Sequence, residues 1–394
     1  MADDPAQPQV TTYRDPPPFQ ANAAGQDLIF YADGADRRTA LLKLVAEARE
    51  SLDVCFYIFA EDTISTEFRD ALCEAARRGV QVTLIIDRFG AAATDEFLQP
   101  LVDCGGRFMC FSPKWSQRYL IRNHQKIVIA DSTQAMFGGF NIEDDYFAPP
   151  SDNGWNDLAV LIEGSAVDGL CAWFAKLKDW TDDSDAHFKA IRRAVREWEW
   201  RDGEAQWLIG GPTRGLSTWA KDISDDLEHG EKLDMFMAYF SPPKKLRERI
   251  ERIAEKGHTR LLMAAKSDNG ATIGATRALY DDLLGSGACI WEFTPCKLHT
   301  KLIVLDDAVY MGSANFDMRS LYLNLELVLK IEDKALADRM REFVGQHIDA
   351  SERITPALHR KRATLLNRAR WWAGWLLVSF IDYTVSRRLN LGIG

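Results

Sequence analysis

The sequence has little cysteine, no apolar run long enough to cross a bilayer, and no excess of positive charge. Its cysteines form no Cys-x-x-Cys pair and are odd in number, at positions 55, 73, 104, 110, 171, 289 and 296. We therefore expect reduced core thiols, no metal cluster and an intracellular body. The net charge of −10 argues against broad non-specific binding to nucleic acid.

The amino terminus also lacks the basic and then apolar pattern of a secretory signal. Residues 1–25 are instead rich in proline, alanine and glutamine, so we expect a flexible, uncleaved arm. The 394 residues of the chain are too many for one typical core, which makes two domains the first expectation.

What the sequence does contain is an internal repeat. Four pairs of segments match in the same order: 47–59 with 228–240, 68–90 with 246–268, 101–111 with 283–293, and 123–141 with 298–316. Each half predicts a β-α-β-α-β unit followed by a β-hairpin, an α/β sandwich with a largely buried sheet. We place the lobes at 26–201 and 202–358, with a charged helical connector over 183–203.

In the last matched pair, a histidine and a lysine stand two residues apart at the start of a strand. Side chains two apart in a strand point to the same face, so His124 with Lys126, and His299 with Lys301, should project together. An imidazole that titrates near neutrality beside an ammonium suits a phosphate. One such pair is weak support for catalysis, whereas two copies at equivalent repeat positions predict a shared site.

Both hairpins return through small residues to an asparagine. Asn141 follows "GGF" and Asn315 follows "GSA", so their amides are candidate donors to the same phosphate. Gly139 and Ser313 occupy the small positions, where they leave room for the substrate, and the Ser313 hydroxyl is a further candidate donor.

The most conspicuous carboxylates, Asp131 and Asp306, each follow a histidine by seven residues. That spacing puts them on the opposite strand face or in the turn, away from a phosphate. We assign them a structural role, the bonding of turn amides.

The pattern H-x-K-x-x-x-x-D followed by G-[SG]-x-N, present twice, resembles the paired signature of the phospholipase D superfamily. The resemblance covers the chain from about residue 27 to 350, and "GGFNIEDDY", "WNDLAVLIEG" and "GSANFDMRSLYLNLEL" are most similar to bacterial cardiolipin synthases. Gly139 departs from the pattern, since many relatives carry serine there. The resemblance implies two tandem α-β-α lobes about a pseudo-two-fold axis, with the active site at their interface.

The resemblance also implies a mechanism without a metal or other cofactor. One histidine attacks phosphorus to form a phosphohistidine, and the other protonates the leaving alcohol and then deprotonates the acceptor. We assign His124 as nucleophile and His299 as general acid/base, with the reverse assignment left open. The groups that stabilise the phosphoryl oxygens are Lys126, Lys301, Asn141 and Asn315.

Two acids match the family positions that orient the histidines. Glu326 in "NLEL" and Asp157 in "WND" are these candidates, and the alternative for each is a solvated strand-end acid. The first half differs from the second by a seven-residue insertion within residues 111–123. Four residues of this segment could line an entrance for a lipid head group: Trp115, Arg118, Tyr119 and Arg122. The alternative is a packed surface loop.

The last residues, 359–394, form a basic and tryptophan-rich segment. Residues 360–394 carry +6, so the rest of the chain carries −16. An apolar run from Trp371 to Val385, flanked by arginines and interrupted by Asp382, predicts a helix that lies in an anionic membrane surface. The alternative is a helix packed on the body.

Together these features predict a cardiolipin synthase-type phosphatidyltransferase. Its expected substrates are phosphatidylglycerol and, as a second donor, phosphatidylethanolamine, and its expected place is the cytoplasmic side of the bacterial inner membrane, bound peripherally. The first alternative is a phospholipase D hydrolase that releases phosphatidic acid. A nucleic-acid phosphodiesterase fits the acidic body poorly, and a non-catalytic scaffold fits two intact motifs poorly.

Overall fold

Two mixed β-sheets, one in each half of the chain, organise the protein. The structure, a computed structural model, describes residues 12–112, 121–183, 188–213 and 215–382. Each sheet is covered on both faces by helices, which confirms the predicted pair of α/β lobes.

The first lobe follows the predicted order of elements. Its helices and strands are β1 (Phe19–Ala23), β2 (Gln26–Tyr31), α1 (Gly34–Glu47), β3 (Ser51–Phe56), α2 (Thr63–Arg77), β4 (Gln81–Asp87), α3 (Asp95–Asp103), β5 (Arg107–Phe111), β6 (Ile127–Ala130), β7 (Gln134–Gly138), β8 (Trp155–Asn156), β9 (Ala159–Glu163), α4 (Ala166–Asp182) and α5 (Phe188–Glu197). Of the connector expected over 183–203, the helical part among the described residues is α5.

The second lobe repeats this order. Its elements are β10 (Arg201–Asp202), β11 (Ala205–Gly210), α6 (Thr218–His229), β12 (Leu233–Met237), β13 (Phe240–Ser241), α7 (Lys244–Glu255), β14 (Thr259–Ala264), α8 (Gly270–Arg277), α9 (Tyr280–Gly285), β15 (Cys289–Phe293), β16 (Lys297–Leu298), β17 (Lys301–Leu305), β18 (Ala308–Gly312), β19 (Phe316–Asp317), α10 (Met318–Tyr322), β20 (Glu326–Glu332), α11 (Lys334–Asp349), β21 (Ser351–Ile354), α12 (Pro356–Arg362) and α13 (Leu365–Trp375).

The strand orders of the two sheets are equivalent. They run β1-β2-β9-β7-β6-β3-β4-β5 in the first lobe and β10-β11-β20-β18-β17-β12-β14-β15-β21 in the second. In both, three parallel strands (β3-β4-β5, β12-β14-β15) continue into an antiparallel hairpin (β6-β7, β17-β18). The strands that follow the two His-x-Lys motifs therefore occupy equivalent central positions.

Part of the segment predicted as a flexible arm, residues 1–25, is a β-strand. Strand β1 pairs antiparallel with β2 at the edge of the first sheet, and Phe19 stacks on Phe30 with ring centroids 4.7 Å apart. Its apolar positions are spaced so that Phe19, Ala21 and Ala23 alternate with polar residues, a strand period that the proline-rich composition obscured.

One continuous hydrophobic core crosses the boundary between the lobes. Phe137 on β7 makes an edge-to-face contact with Trp207 on β11 at 5.0 Å, and the Trp207 indole N–H donates to Ala166 O at 2.7 Å. The indole N–H of Trp173 donates to Gln125 Oε1 at 3.0 Å, and Gln125 is the residue between His124 and Lys126. A large apolar interface of this kind fixes the lobes relative to each other.

The carboxy-terminal helices α12 and α13 pack on the second lobe, a contact that the alternative of a helix packed on the body describes. His359 on α12 is buried, lies 3.3 Å from Asp281, and stacks on Trp371 of α13 at 5.3 Å. A β-carbon at Gly374 would lie 2.7 Å from Ala271 O, so glycine is needed where α13 crosses α8. Residues 383–394 lie outside the described part of the chain.

A π-helical segment, Leu376–Asp382, continues α13. Within the ranges given above, no helix combines the length and the apolar character that crossing a bilayer requires.

Asp131 and Asp306 tie the hairpins to the strands beside them. Asp131 Oδ1 accepts from the amides of Glu50 and Ser51 at 2.7 and 3.0 Å, and Asp306 Oδ1 accepts from the Lys232 amide at 2.8 Å. Both aspartates have positive φ, 53° and 51°, in the turns after β6 and β17. The amides that they bind lie at the start of β3 or just before β3 and β12, and not in the turns of the aspartates themselves.

Replacing Asp306 by alanine should lower the stability of the fold. The loss of its amide contacts, together with the positive φ that alanine tolerates poorly, should cost about 1–3 kcal/mol. Thermal unfolding should show a melting temperature a few degrees lower. Asp306→Asn keeps an acceptor oxygen and tolerates the turn, so it serves as the matched control and should be milder. A loss of turnover per folded molecule, with unchanged unfolding, would contradict a structural role.

Candidate active site

Each His-x-Lys motif is held in place by the opposite lobe. The His124 amide donates to Leu325 O at 2.9 Å, and the His299 amide donates to Asn156 O at 2.8 Å. The short parallel pairing of β8 with β16 lies at the second of these contacts. Both motifs therefore start their strands at the lobe interface, and the site exists only when the lobes are packed together.

The carboxylates that orient the histidines also come from the opposite lobe. His124 Nδ1 lies 3.0 Å from Glu326 Oε2, and His299 Nδ1 lies 2.7 Å from Asp157 Oδ2. Both carboxylates are fully buried. Because Nδ1 of each ring is engaged, the other ring nitrogen, Nε2, is the one available for chemistry.

The two small residues of the hairpins, Gly139 and Ser313, contact these carboxylates. The Ser313 hydroxyl donates to Glu326 Oε2 at 2.5 Å and accepts from the Leu327 amide at 3.0 Å. A β-carbon at Gly139 would lie 2.4 Å from Asp157 Oδ1, so only glycine leaves room for that carboxylate. The departure from serine at Gly139 therefore fits the position of Asp157.

The two lysines are buried cations. Lys126 is 1% and Lys301 is 4% exposed, and each ammonium donates to the carbonyl of the histidine two residues before it. Burial lowers the pKa of Lys126 to about 7 and that of Lys301 to about 8. An anion placed between them would offset the cost of their desolvation, since an opposite charge favours the protonated form of a lysine.

The histidines are held neutral in the unliganded site. Burial and then Lys126 hold the pKa of His124 well below its usual value, and burial and then Lys301 lower the pKa of His299 to about 3. Burial raises the pKa of Glu326 to about 7. Burial also acts to raise the pKa of Asp157, but His299 and Lys301 outweigh it and keep the pKa below the usual value.

A cavity of about 680 Å³ opens onto both histidines. Asn141 and Asn315 line it, and because Asn141 Oδ1 accepts from the Ile58 amide at 3.0 Å, the NH2 group of Asn141 is its donor side. Arg122 also lines it. The other candidates from the insertion, Trp115, Arg118 and Tyr119, lie outside the described residues.

Several side chains in this cavity escaped the motif-based reasoning. Tyr57 lies against His124 with ring centroids 4.9 Å apart, and the Tyr146 hydroxyl lies 3.5 Å from His299 Nε2. Others that line the cavity include Tyr239, Asp268, Asn269 and Arg319. Most follow the carboxyl end of a strand, where α/β sheets bind ligands, and that position was the available signal.

Within the described ranges, no group of three or more His, Cys, Asp or Glu side chains is arranged to hold a metal ion. The positive charge beside the histidines comes from the two lysines. What the arrangement can do chemically is hold a phosphoryl group between two imidazoles, one on each side, and move a proton at either Nε2.

The known proteins that this chain resembles include cardiolipin synthases. Cardiolipin synthase 2 of Bacillus anthracis is 28% identical over 345 residues, which cover 84% of this chain and 66% of that protein. Cardiolipin synthase of Clostridium perfringens (strain 13 / Type A) is 28% identical over 86% of this chain and 74% of its own. This chain thus spans about two thirds of the length of the Bacillus relative.

The fold has a solved counterpart. The crystal structure of phosphatidylserine synthase from Haemophilus influenzae superposes with a TM-score of 0.72 at 16% identity, covering 92% of this chain and 97% of that one. At that identity the likeness concerns the fold alone. A family model described as "Cardiolipin synthase, PLD-like domain" matches residues 41–178 and 224–348, which include both histidine motifs. Since these segments make up more than half of the sequence, the chain belongs to this phospholipase D-like family of cardiolipin synthase domains.

Proposed function

We propose that the protein is a cardiolipin synthase-type phosphatidyltransferase, which moves a phosphatidyl group between phospholipids. The observation that carries the proposal is the reciprocal pairing at the lobe interface. His124 and His299 each rest on a carboxylate of the other lobe and line one cavity, and a buried lysine lies two residues after each of them. That arrangement suits a phosphodiester held between a nucleophile and a proton donor.

In the first step of the proposed reaction, His124 Nε2 attacks phosphorus and the bond to the leaving head-group oxygen breaks. A bound phosphodiester anion raises the pKa of His299, so that its Nε2 carries the proton that the leaving alcohol takes. Asp157 stabilises the resulting positive charge on the ring. Lys126, Lys301, Asn141 and Asn315 stabilise the phosphoryl oxygens.

In the second step, neutral His299 accepts the proton of an acceptor hydroxyl. The acceptor oxygen attacks phosphorus, the P–N bond to His124 breaks, and the histidine returns to its neutral form. With the hydroxyl of phosphatidylglycerol as acceptor the product is cardiolipin, whereas water would give phosphatidic acid. We propose the lipid acceptor, with phosphatidylglycerol or phosphatidylethanolamine as donor.

A lipid acceptor is favoured by an apolar stripe on α13 and the segment after it. Five large apolar side chains on this stripe are exposed: Leu365, Leu366, Trp372, Leu376 and Leu377. Leu377 and Val378 also line the cavity that holds both histidines. The stripe therefore runs from open surface to the mouth of the site.

The charges around the stripe suit an anionic bilayer. Arg360, Lys361 and Arg370 form no ion pair with the described residues, while Arg368 and Arg362 are held by Asp281 and Glu352. An amphipathic helix of this kind binds a membrane through its apolar face and through attraction to anionic lipids. We place the protein peripherally on the cytoplasmic face of the bacterial inner membrane.

The alanine variants of His124 and His299 should each lose at least roughly 10³-fold of the turnover, because each removes either the nucleophile or the proton carrier. The assay is conversion of labelled phosphatidylglycerol vesicles to cardiolipin and glycerol. His229→Ala, at an exposed position on α6, is the matched control and should keep full turnover.

Three results would count against this scheme. Substantial turnover in either alanine variant would rule out two essential histidines, and phosphatidic acid as the sole product would make the protein a hydrolase. The labelled phosphatidyl group can be trapped on the enzyme by denaturation without acid, which would hydrolyse a phosphohistidine. A label found on His299 instead of His124 would reverse the two roles.

Anion binding should weaken as the pH rises through about 7 to 8. The pKa values of Lys126 and Lys301 in the empty site are about 7 and 8, and a bound anion favours their protonated forms. Sulfate, which does not titrate in this range, should therefore inhibit strongly below pH 7 and at least about tenfold more weakly at pH 9. Lys301→Arg keeps its charge and should flatten the profile. A sulfate inhibition constant independent of pH in the wild type would contradict this account.

Membrane docking should depend on the exposed end of the stripe. The double variant Leu365→Glu, Leu366→Glu places two carboxylates on that face, so co-flotation with phosphatidylglycerol vesicles should fall at least about fivefold. Val102→Glu makes the same kind of change at an exposed apolar position on α3 and should float like the wild type. Equal flotation of the double variant and the wild type would refute docking through this face.

A further inference from the structure

A fully buried arginine lies on helix α1. Arg37 is 0% exposed, and its guanidinium donates to three carbonyl oxygens: Ala32 O at 3.1 Å, Asp157 O at 2.9 Å and Tyr146 O. Removing a guanidinium from water is costly, and hydrogen bonds to neutral carbonyls offset only part of that cost. Two of the three residues that it contacts belong to the candidate active site.

These two residues contact the two nitrogens of the His299 imidazole. Asp157 Oδ2 lies 2.7 Å from Nδ1 of that ring, and the Tyr146 hydroxyl lies 3.5 Å from Nε2. The Tyr146 ring also packs edge-on against the imidazole, with ring centroids 5.1 Å apart. One guanidinium therefore fixes the main chain of the residue at each nitrogen of His299.

Helix α1 lies close enough to the site to make these contacts. A β-carbon at Gly34 would lie 2.6 Å from Phe147 O, so the helix begins directly against the segment that carries Tyr146. The guanidinium carbon of Arg37 lies 5.8 Å from the Phe140 ring centroid and 5.7 Å from that of Phe147. These rings and the close approach of the helix hold the guanidinium in one place.

The His124 end of the site is built differently. There the carbonyl of Glu326, the orienting carboxylate, accepts from the neutral Gln125 side chain at 3.3 Å. Helix α6, which lies between β11 and β12 as α1 lies between β2 and β3, contains no arginine, and its one lysine, Lys221, is exposed. The lobes therefore repeat the histidine–carboxylate pair but not the guanidinium bound to its main chain.

The charge of Arg37 acts on Asp157 together with its hydrogen bond. Burial acts to raise the pKa of Asp157. His299, Lys301 and, less strongly, Arg37 act to lower it, and the pKa lies below its usual value. Burial raises the pKa of Glu326 to about 7. Asp157 is therefore the carboxylate that stays ionised near neutral pH, and a fixed anion at Nδ1 stabilises a protonated imidazole.

We propose that Arg37 is a positioning residue that equips His299, and not His124, to carry the proton of the reaction. The proposal rests on the phosphatidyltransferase function proposed above and deepens it by giving a physical reason for the different roles of the histidines. Because Arg37 is fully buried, it acts through Asp157 and Tyr146 and not on the substrate itself. It fixes the carboxylate that stabilises the protonated ring and the side chain that packs beside Nε2, the atom that passes the proton to the leaving oxygen.

The test compares two leaving groups in the first step of the reaction. Glycerol needs a proton to leave phosphatidylglycerol, whereas p-nitrophenol leaves phosphatidyl-p-nitrophenol as its anion. Each substrate is incorporated at the same fraction into phosphatidylcholine vesicles, and its release is followed in a single turnover with enzyme in excess. Arg37→Gln should slow glycerol release at least about thirtyfold and nitrophenol release less than about threefold, because only glycerol takes the proton of His299. The ratio of the two rates, measured on one preparation, does not depend on the fraction of folded protein.

Matched variants separate the guanidinium contacts from general damage. Arg38→Gln changes the next residue of α1, an exposed arginine, and should leave both rates unchanged. Arg37→Lys keeps the charge but not the fork that reaches three carbonyls, so it should show a smaller loss of the same selective kind. It also supplies the comparison if the glutamine variant does not fold. His299→Ala should show the selective loss in full.

The outcomes distinguish this proposal from the function on which it rests. Equal slowing of both leaving groups in the Arg37 variants, or unchanged glycerol release, would overturn the role of Arg37. Equal slowing in His299→Ala would overturn it as well, because His299 would then not be the proton donor. Absence of cardiolipin from the completed reaction would instead count against the transferase function alone, since hydrolysis to phosphatidic acid begins with the same step.

Discussion

The site depends on one reciprocal interaction, in which each histidine of one lobe rests on a carboxylate of the other. Glu326 and Asp157 are fully buried, and a buried carboxylate is costly unless it is bonded. The histidines provide those bonds at 3.0 and 2.7 Å, while the apolar core around Phe137 and Trp207 keeps the lobes in register. Neither lobe alone contains a complete imidazole–carboxylate pair, so the interface is part of the chemistry as well as of the fold.

The same interface sets the electrostatics of the empty site. Two neutral histidines line the cavity, and two buried lysines with lowered pKa values lie two residues after them in the sequence. The proposed phosphodiester would add negative charge to this site. Anion binding then strengthens the positive charge of the lysines and brings the imidazole that must donate a proton closer to protonation. Affinity and proton transfer are therefore linked through the same groups.

Much of this could be predicted from the sequence because it follows from periodicity. The strand period of two placed each histidine and lysine on one face, and the internal repeat predicted two equivalent lobes. The crosswise partners could not be derived this way, since nothing in a strand period says that Glu326 lies beside His124, 202 residues away. Asp157 and Glu326 came from family resemblance. Ser313 and Gly139 were assigned to the substrate, because spacing alone does not distinguish contact with a ligand from contact with a carboxylate. Tyr239, Asp268 and Arg319 follow strand ends, and only the folded chain brings them together.

The carboxy-terminal helix joins the proposed docking surface to the proposed chemistry. One face of α13 is fixed to the second lobe by the close crossing at Gly374 and the stacking of Trp371 on His359. A helix held this rigidly cannot turn its other face inward. The exposed leucines and Trp372 therefore remain an exposed apolar patch. Because Leu377 is both exposed and part of the cavity wall, a lipid whose chains lie along the stripe has its head group at the mouth of the site. Under the proposed function, its phosphate would reach the histidines without its acyl chains crossing water, which would remove the largest hydrophobic cost of drawing a phospholipid from a bilayer.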